Sequence, residues 1–229
     1  FCQKAANHPD KDYFFIIDEI NRGNISKIFG ELITLIEPTK RIGQTEETSV
    51  KLPYSQKAFG VPNNVYLIGT MNTADRSIAT IDTALRRRFY FQEMQPNPTV
   101  LEGVFVEDVS IKNLLARMNL KISVLYDREH TIGHAYFTKL KEDPNIKTLA
   151  SIFKNNIIPL LQEYFYEDYE KIRLVLGDNK KQNEQEQFIT AKAIDYTALF
   201  GSTDLETDDT FRYEINPVAF DNIEAYRYI

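Results

Sequence analysis

The chain has 229 residues, of which 43% are hydrophobic and 26% are charged, a globular composition sufficient for one large domain or two small ones. Its net charge of −6 excludes a surface that is basic throughout, so a contact with DNA would need a local patch or another segment. The single cysteine, Cys2, excludes an intrachain disulfide and fits a reducing cytoplasm, and no apolar run is long enough to span a membrane.

The first part of the chain alternates strands with helices. The continuous apolar run 13–17 predicts a buried parallel strand, and apolar residues at helical spacing predict an amphipathic helix over 25–37. Residues 40–64 are polar with short alternating stretches, which favours a hairpin-like excursion. This order of elements is typical of an α/β fold.

Two further strands follow. Residues 65–70 predict a second buried strand, residues 78–87 a short helix, and residues 89–94 a third strand. Pro96 then marks a boundary. We therefore predict a first domain over 1–95 that is built on a parallel sheet.

The second part is mainly helical. Apolar residues keep helical spacing over 111–125 and 149–161, with a kink or a helix start at Pro159, and a helix ending at Leu176 is capped by Gly177. These patterns predict a helical subdomain over 96–177. A tail over 178–229 begins with a polar loop, and its aromatic residues predict packing onto the helices.

The first strand ends in two carboxylates, Asp18 and Glu19. Ligands of open α/β sheets bind at the carboxyl ends of strands. Phosphoryl transfer needs a metal that neutralises phosphate charge and a group that orients the attacking water. Asp18 could hold Mg²⁺ through water while Glu19 polarises the water. The plain alternative is a strand that ends in solvated acids.

Polar residues also follow the second strand. Asn72 could reach a γ-phosphate and the attacking water, and Asp75 could orient either of them. Alternatively, this turn only caps the next helix.

Three consecutive arginines close the helix that follows. In a ring of subunits, one or two of them could act as arginine fingers in a neighbouring site. The alternative is a solvated helix end, where cations interact favourably with the helix dipole.

Three ordered motifs carry a family resemblance. Residues 16–24 (IIDEINRGN) resemble the Walker B segment of McrB-type AAA+ proteins, and residues 71–77 (MNTADRS) are similar to that family's signature at the sensor 1 position. Residues 82–89 (DTALRRRF) resemble its arginine-finger segment. Residues 132–137 and 158–165 look like its lid. The resemblance is dense over the first domain, clear to about residue 177 and thin in the tail.

The resemblance implies a partial AAA+ core, comprising strands 3, 4 and 5 of the sheet, followed by a helical lid. It also implies GTP or ATP with Mg²⁺, a hexameric homo-oligomeric ring, a McrC-like nuclease partner, and DNA contacted through the full complex. The implied roles are the Walker B pair for Asp18 and Glu19, water positioning for Asn72 and Asp75, a trans-acting finger for Arg87 or Arg88, intersubunit support for Arg22, and nucleotide contact for His134. A lone histidine is more often a hydrogen-bonded structural residue, and no second His or Cys at ligand spacing supports a metal site there.

One motif of the family is missing from the sequence. No Gly-x-x-x-x-Gly-Lys-Ser/Thr loop occurs, so we expect the 229 residues alone to be a fragment that neither binds nor hydrolyses nucleotide efficiently. The strand that feeds this loop lies, by resemblance, between strands 4 and 5. We expect the position of that strand in the sheet to be empty, or to be filled by another chain, by a rearranged segment or by direct pairing of strands 4 and 5.

Two rival functions stay open from the sequence. One is a MoxR- or dynein-related ATPase that acts on protein partners, against which the residues 72–76 argue. The other is a P-loop-less, non-enzymatic remnant for oligomerisation or DNA binding.

Overall fold

The computed structural model describes residues 1–74, 83–201 and 211–229. The chain divides into two compact units, Phe1–Glu93 and Met94–Ile229, and each is described by itself. Within the described residues, no helix combines the length and the apolar composition that crossing a membrane requires.

The first unit mixes short helices with short strands. Its described elements are α1 (Cys2–Ala6), β1 (Tyr13–Ile17), α2 (Ile25–Phe29), β2 (Val50–Lys51), β3 (Ala58–Phe59), β4 (Val65–Gly69) and α3 (Thr83–Arg86). The 3₁₀ helices Ile20–Arg22, Gly30–Ile36 and Pro38–Lys40 connect them.

A two-stranded parallel sheet is the centre of this unit. β1 and β4 pair in register from Tyr13 opposite Val65 to Ile17 opposite Gly69, which confirms both predicted strands and their parallel pairing. Their predicted burial is wrong, because most of their side chains, including those of Phe14 and Ile16, are exposed. The predicted hairpin is also confirmed, because β2 and β3 pair in antiparallel fashion. One face of the sheet packs on small apolar clusters that include Leu35, Val61 and Val65.

The helix predicted over 25–37 is shorter than expected. α2 ends at Phe29, and the chain continues as the 3₁₀ helix Gly30–Ile36. Gly30 has a φ of 51°, a backbone conformation outside the α-helical region that glycine adopts without steric cost. The apolar spacing continues through both helical segments, but the glycine interrupts the α-helix.

The strand predicted over 89–94 is wrong. Residues 90–97 have no regular structure, and the side chains of Tyr90 and Met94 are 92% and 91% exposed. Among the described residues β4 pairs with β1 alone, so no described strand pairs with this segment. A strand forms only when such a partner is present. Of the helix predicted over 78–87, the described part is α3.

The second unit is dominated by helices. Its described elements are β5 (Phe105–Val106), β6 (Val109–Ser110), α4 (Ile111–Leu125), α5 (Ile146–Ile152), α6 (Ile158–Tyr164), α7 (Tyr169–Leu176), β7 (Ile189–Ala193), α8 (Tyr196–Phe200), β8 (Phe211–Ile215) and α9 (Glu224–Arg227). The 3₁₀ helices are Pro98–Leu101, His134–Lys141, Asp178–Lys180, Glu184–Glu186 and Pro217–Asp221, and a π-helical turn, Phe153–Ile157, joins α5 to α6.

The helical predictions are confirmed in this unit. α4 covers the predicted range, α6 begins beside Pro159, and α7 ends at Gly177 in the left-handed conformation with a φ of 72°. A side chain at Gly177 would also collide with the carbonyl oxygen of Tyr228, only 2.3 Å from the position of an added Cβ. Glycine is therefore required there for backbone conformation and for close packing of the C-terminus.

One continuous apolar core fills the second unit. It runs from Leu101 to Ile229 and includes residues of both the helices and the tail. The Phe153 ring stacks on Phe188 at 5.5 Å between centroids and meets Tyr226 edge-on at 4.9 Å. The tail aromatics thus serve core packing, whereas the separate boundaries 96–177 and 178–229 stay predictions.

A buried ion pair ties the loop after α7 to β7. The carboxylate of Asp178 accepts hydrogen bonds from the Lys181 ammonium at 2.7 Å and from the backbone N–H groups of Phe188 and Ile189 at 3.0 and 2.9 Å. Both charged side chains are completely buried. Such a carboxylate is satisfied only while all of these donors stay in place.

Candidate active site

The carboxyl ends of β1 and β4 bring two predicted motifs to one edge of the sheet. The backbone ladder continues past the strands, because Thr70 N–H donates to Ile17 at 3.0 Å and Ile20 N–H donates to Thr70 at 2.8 Å. Asp18 and Glu19 therefore lie beside the segment that leads to Asn72. This placement is the geometry that the sequence predicted for a phosphate and metal site.

Thr70 connects the two strand ends through its side chain. Its hydroxyl donates to Oδ1 of Asp18 and accepts a hydrogen bond from the backbone N–H of Glu19 at 3.2 Å. The Asp18 carboxylate is thereby oriented while the residue remains exposed. Thr70 was not among the predicted site residues, although a hydroxyl residue at the end of the second predicted strand was a usable signal.

Glu19 has an unusual backbone conformation. Its φ of 52° and ψ of 49° are left-handed, which costs a non-glycine residue roughly 1–2 kcal/mol. Its side chain is 38% exposed, and Arg22 Nε lies 3.4 Å from its Oε2 atom. Strained residues held in place by their surroundings concentrate at functional sites.

Asn72 and Asn21 link the same two segments. The side-chain amide of Asn21 donates to the backbone oxygen of Asn72 at 3.3 Å. The Oδ1 atom of Asn72 accepts the Ala74 N–H at 3.0 Å, so the turn-forming role considered as the alternative is present. Asn72 is exposed at the sheet edge.

The donors at this edge fit a magnesium ion bound together with phosphates. Among the described residues, no group of three or more His, Cys, Asp and Glu side chains could enclose a metal. Mg²⁺ typically keeps several waters and takes one or two carboxylates plus substrate phosphates. The exposed Asp18 carboxylate matches that need, and the buried Oδ1 of Asn21 accepts no hydrogen bond from the described residues.

The arginines after α3 have different environments. Arg88 Nη2 lies 2.7 Å from Oε1 of Glu37, and its side chain is only 16% exposed. Arg86 lies over the Phe91 ring at 5.9 Å. Arg87 is exposed. Of the two arginines predicted as fingers, Arg87 is thus the accessible one, and nothing in the sequence indicated Glu37 as the partner of Arg88.

The remaining predicted site residues are Asp75, Arg22 and His134. Asp75 lies outside the described residues. Arg22 is exposed and pairs with Glu19. His134, in the second unit, is partly buried, and its Nδ1 lies 3.1 Å from the backbone N–H of Asn97. That contact is the hydrogen-bonded structural role considered for His134, and its contact with nucleotide stays a prediction.

Comparison with known proteins gives evidence on the family of this chain that is independent of the geometry. Residues 3–89 match the model of the AAA domain (dynein-related subfamily), and residues 110–173 match the McrB α-helical lid domain. The EcoKMcrB subunit, a type IV methyl-directed restriction enzyme subunit of Escherichia coli (strain K12), is 43% identical over 186 residues, which cover 73% of this chain and 40% of that protein. The chain belongs to the McrB family. A partial AAA+ core followed by a McrB lid is therefore its architecture.

A second relative is more distant. The BsuMI component YdiS, part of a type II restriction enzyme of Bacillus subtilis (strain 168), is 28% identical over 102 residues, which cover 40% of this chain and 29% of that protein. The chain thus spans less than half the length of either relative.

Proposed function

We propose that these residues form the hydrolytic edge and the lid of an AAA+ nucleoside triphosphatase in a restriction system, with GTP or ATP as substrate. The observation that carries the proposal is the shared edge of β1 and β4. There Asp18, Glu19 and Asn72 follow adjacent parallel strands. The names of both relatives, each a restriction enzyme component, support the biological setting.

Each residue at the edge has a distinct proposed task. Asp18, oriented by the Thr70 hydroxyl, would hold Mg²⁺ through water. Glu19 would polarise the attacking water, and Asn72 would position it against the γ-phosphate. Magnesium, when bound, neutralises charge on the β- and γ-phosphates.

The exposed Arg87 is the proposed trans-acting group. In a ring of subunits, it would stabilise negative charge that develops in the site of the neighbouring subunit. Arg88 would hold its segment in place through Glu37. Arg22, which pairs with Glu19, keeps its predicted role of supporting the intersubunit site, and Asp75 keeps its predicted role of positioning the hydrolytic water.

The uncovered face of the sheet supports the proposal that further residues complete the core. Phe14, Ile16, Tyr66 and Ile68 alternate onto one face, and their side chains are 56%, 67%, 46% and 45% exposed. Contiguous exposed apolar surface marks an interaction site. We propose that the rest of an AAA+ core, including the strand that feeds the P-loop, packs there and beside β4.

The proposed working assembly extends beyond this chain. It comprises a hexameric ring in the cytoplasm and a McrC-like nuclease, and it acts on DNA through the full complex. The net charge of −6 is compatible with DNA contact through other segments or a local patch.

Hydrolysis by the product of the complete gene tests the proposal. Glu19→Gln keeps the size of the side chain but removes its charge, so it should lower GTP or ATP turnover about a hundredfold with nucleotide binding retained. Arg22→Gln, which removes the ion-pair partner instead, is the comparison variant. Turnover unchanged in Glu19→Gln would remove Glu19 from the reaction. Absence of any turnover by the wild type would favour the non-enzymatic alternative.

A binding titration tests the consequence of the P-loop motif being absent from this sequence. Residues 1–229 alone should show no micromolar affinity for GTP or ATP in a calorimetric titration, because no phosphate-binding loop is present. A micromolar dissociation constant would overturn this expectation.

A further inference from the structure

An open groove lies on the surface of the second unit, between α4 and the end of α7. Its volume is about 300 Å³, at the lower end of the range of ligand sites. It is lined by Leu120, Lys121 and Val124 of α4 and by Leu174, Asn179 and Lys180.

The floor of this groove is apolar and exposed. The side chains of Leu120 and Val124 are 66% and 77% exposed, and Leu174 on α7 is 39% exposed. Leu120 and Val124 are four residues apart on α4, so they share one helix face. Single exposed apolar residues are ordinary, whereas Leu120, Val124 and Leu174 line the same concavity.

The rim of the groove is cationic. Burial lowers the pKa of Lys121 to about 8, and the neighbouring charges of Lys180, Lys181 and Arg117 add to the effect. Asp178 opposes it, but that carboxylate is already paired with the buried Lys181. Lys121 is held at the rim by a hydrogen bond to the backbone oxygen of Val175 at 3.0 Å. An excess of positive charge therefore remains in a chain whose net charge is −6.

We infer that this groove docks an acidic, amphipathic segment of a partner protein. Apolar side chains of the segment would lie over Leu120, Val124 and Leu174, and its Asp or Glu side chains would pair with Lys121 and Lys180. Apolar anchors spaced along one face are the usual way in which a helical segment fills a groove. Nucleic acid fits less well, because phosphate binding gains nothing from an exposed leucine and valine floor. The inference does not depend on the proposed hydrolytic activity.

Selection from a display library of short random peptides, with residues 1–229 immobilised, tests the inference. Enriched sequences should combine Asp or Glu with Leu, Ile or Phe. Their affinity, measured by fluorescence anisotropy, should fall about tenfold or more in Val124→Ser and in Lys180→Glu. Val218→Ser and Lys154→Glu are matched controls, since both residues are exposed and lie outside the groove.

The alternatives give different results. Enrichment of basic or uncharged peptides, no enrichment, or equal affinity in the groove variants and the controls would each overturn the inference. A DNA duplex that competes for the groove, or a dimer of the chain that Val124→Ser dissociates in sedimentation, would assign the surface to another occupant and also overturn it. Because all four substitutions are at exposed positions, unchanged thermal unfolding should accompany them.

Discussion

The two units of this chain differ in how completely they bury their apolar side chains. The second unit has one continuous core, to which helices and tail both contribute. Among its described residues, the first unit has two small clusters and leaves Phe14, Ile16, Tyr66 and Ile68 on an open sheet face. The contrast shows that sequence patterns can specify strands without specifying how the faces of those strands are buried.

The largest expected effect comes from separating the units. Residues 94–229 expressed alone should keep cooperative thermal unfolding, because their core needs no other segment. Residues 1–93 alone should bind a hydrophobic dye and unfold without a sharp transition. Circular dichroism and dye fluorescence measure both outcomes. A sharp transition for residues 1–93 would show that the small clusters are sufficient.

Removing the buried carboxylate of the second unit should have the next largest effect. Asp178→Ala leaves the Lys181 ammonium and two backbone N–H groups buried without their acceptor, which should lower the free energy of unfolding by about 3–5 kcal/mol. Urea denaturation, monitored by hydrogen exchange in residues 111–125, reports on this unit. Asp108→Ala is the control, because its ion pair with Arg227 is exposed and should not measurably affect stability. Equal effects of the two substitutions would contradict the distinction.

Arg88 and Arg87 allow the stability effects of a paired and an exposed side chain to be compared within the first unit. Arg88→Ala should lower stability by about 1 kcal/mol, since it removes the closer of the two cations beside the partly buried Glu37 and leaves only Lys40, whose Nζ lies 4.0 Å from Glu37 Oε2. Arg87→Ala, at an exposed position, should change stability by less than about 0.5 kcal/mol. Urea denaturation, monitored by hydrogen exchange in residues 30–40, distinguishes the two variants. A larger loss in Arg87→Ala would mean that Arg87 has a structural partner.

The open sheet face should give the smallest effect. Ile68→Thr should change the unfolding free energy by less than about 0.5 kcal/mol, because that side chain is 45% exposed. Leu35→Ala, at a fully buried position of the same unit, should cost about 2–5 kcal/mol. A loss above 2 kcal/mol in Ile68→Thr would show that the face is covered in solution.

Local patterns predicted the elements that are stabilised by local or paired contacts. Continuous apolar runs identified β1 and β4, helical spacing identified α4, and Gly177 identified the end of α7. The acids at the end of β1 and Asn72 were predicted to share one edge of the sheet, and the parallel register places them there. Their catalytic roles stay predictions.

Other features depended on partners that spacing does not encode. The aromatic segment 89–94 had strand-like composition, but it has no described strand to pair with. Arg88 and Glu37 are far apart in the sequence and close in space. The contact of Thr70 with Asp18 likewise required the register of two strands separated by almost fifty residues.

The amino-acid sequence by itself determined the apolar strands, the helix periods, the glycine cap and the acidic end of β1, because each follows from neighbouring residues and backbone sterics. Only the tertiary structure decided which arginine is accessible, how Asp18 and Glu19 are held, and where apolar surface stays open. Those properties arise from long-range pairing and burial, whose energies depend on which distant residues meet.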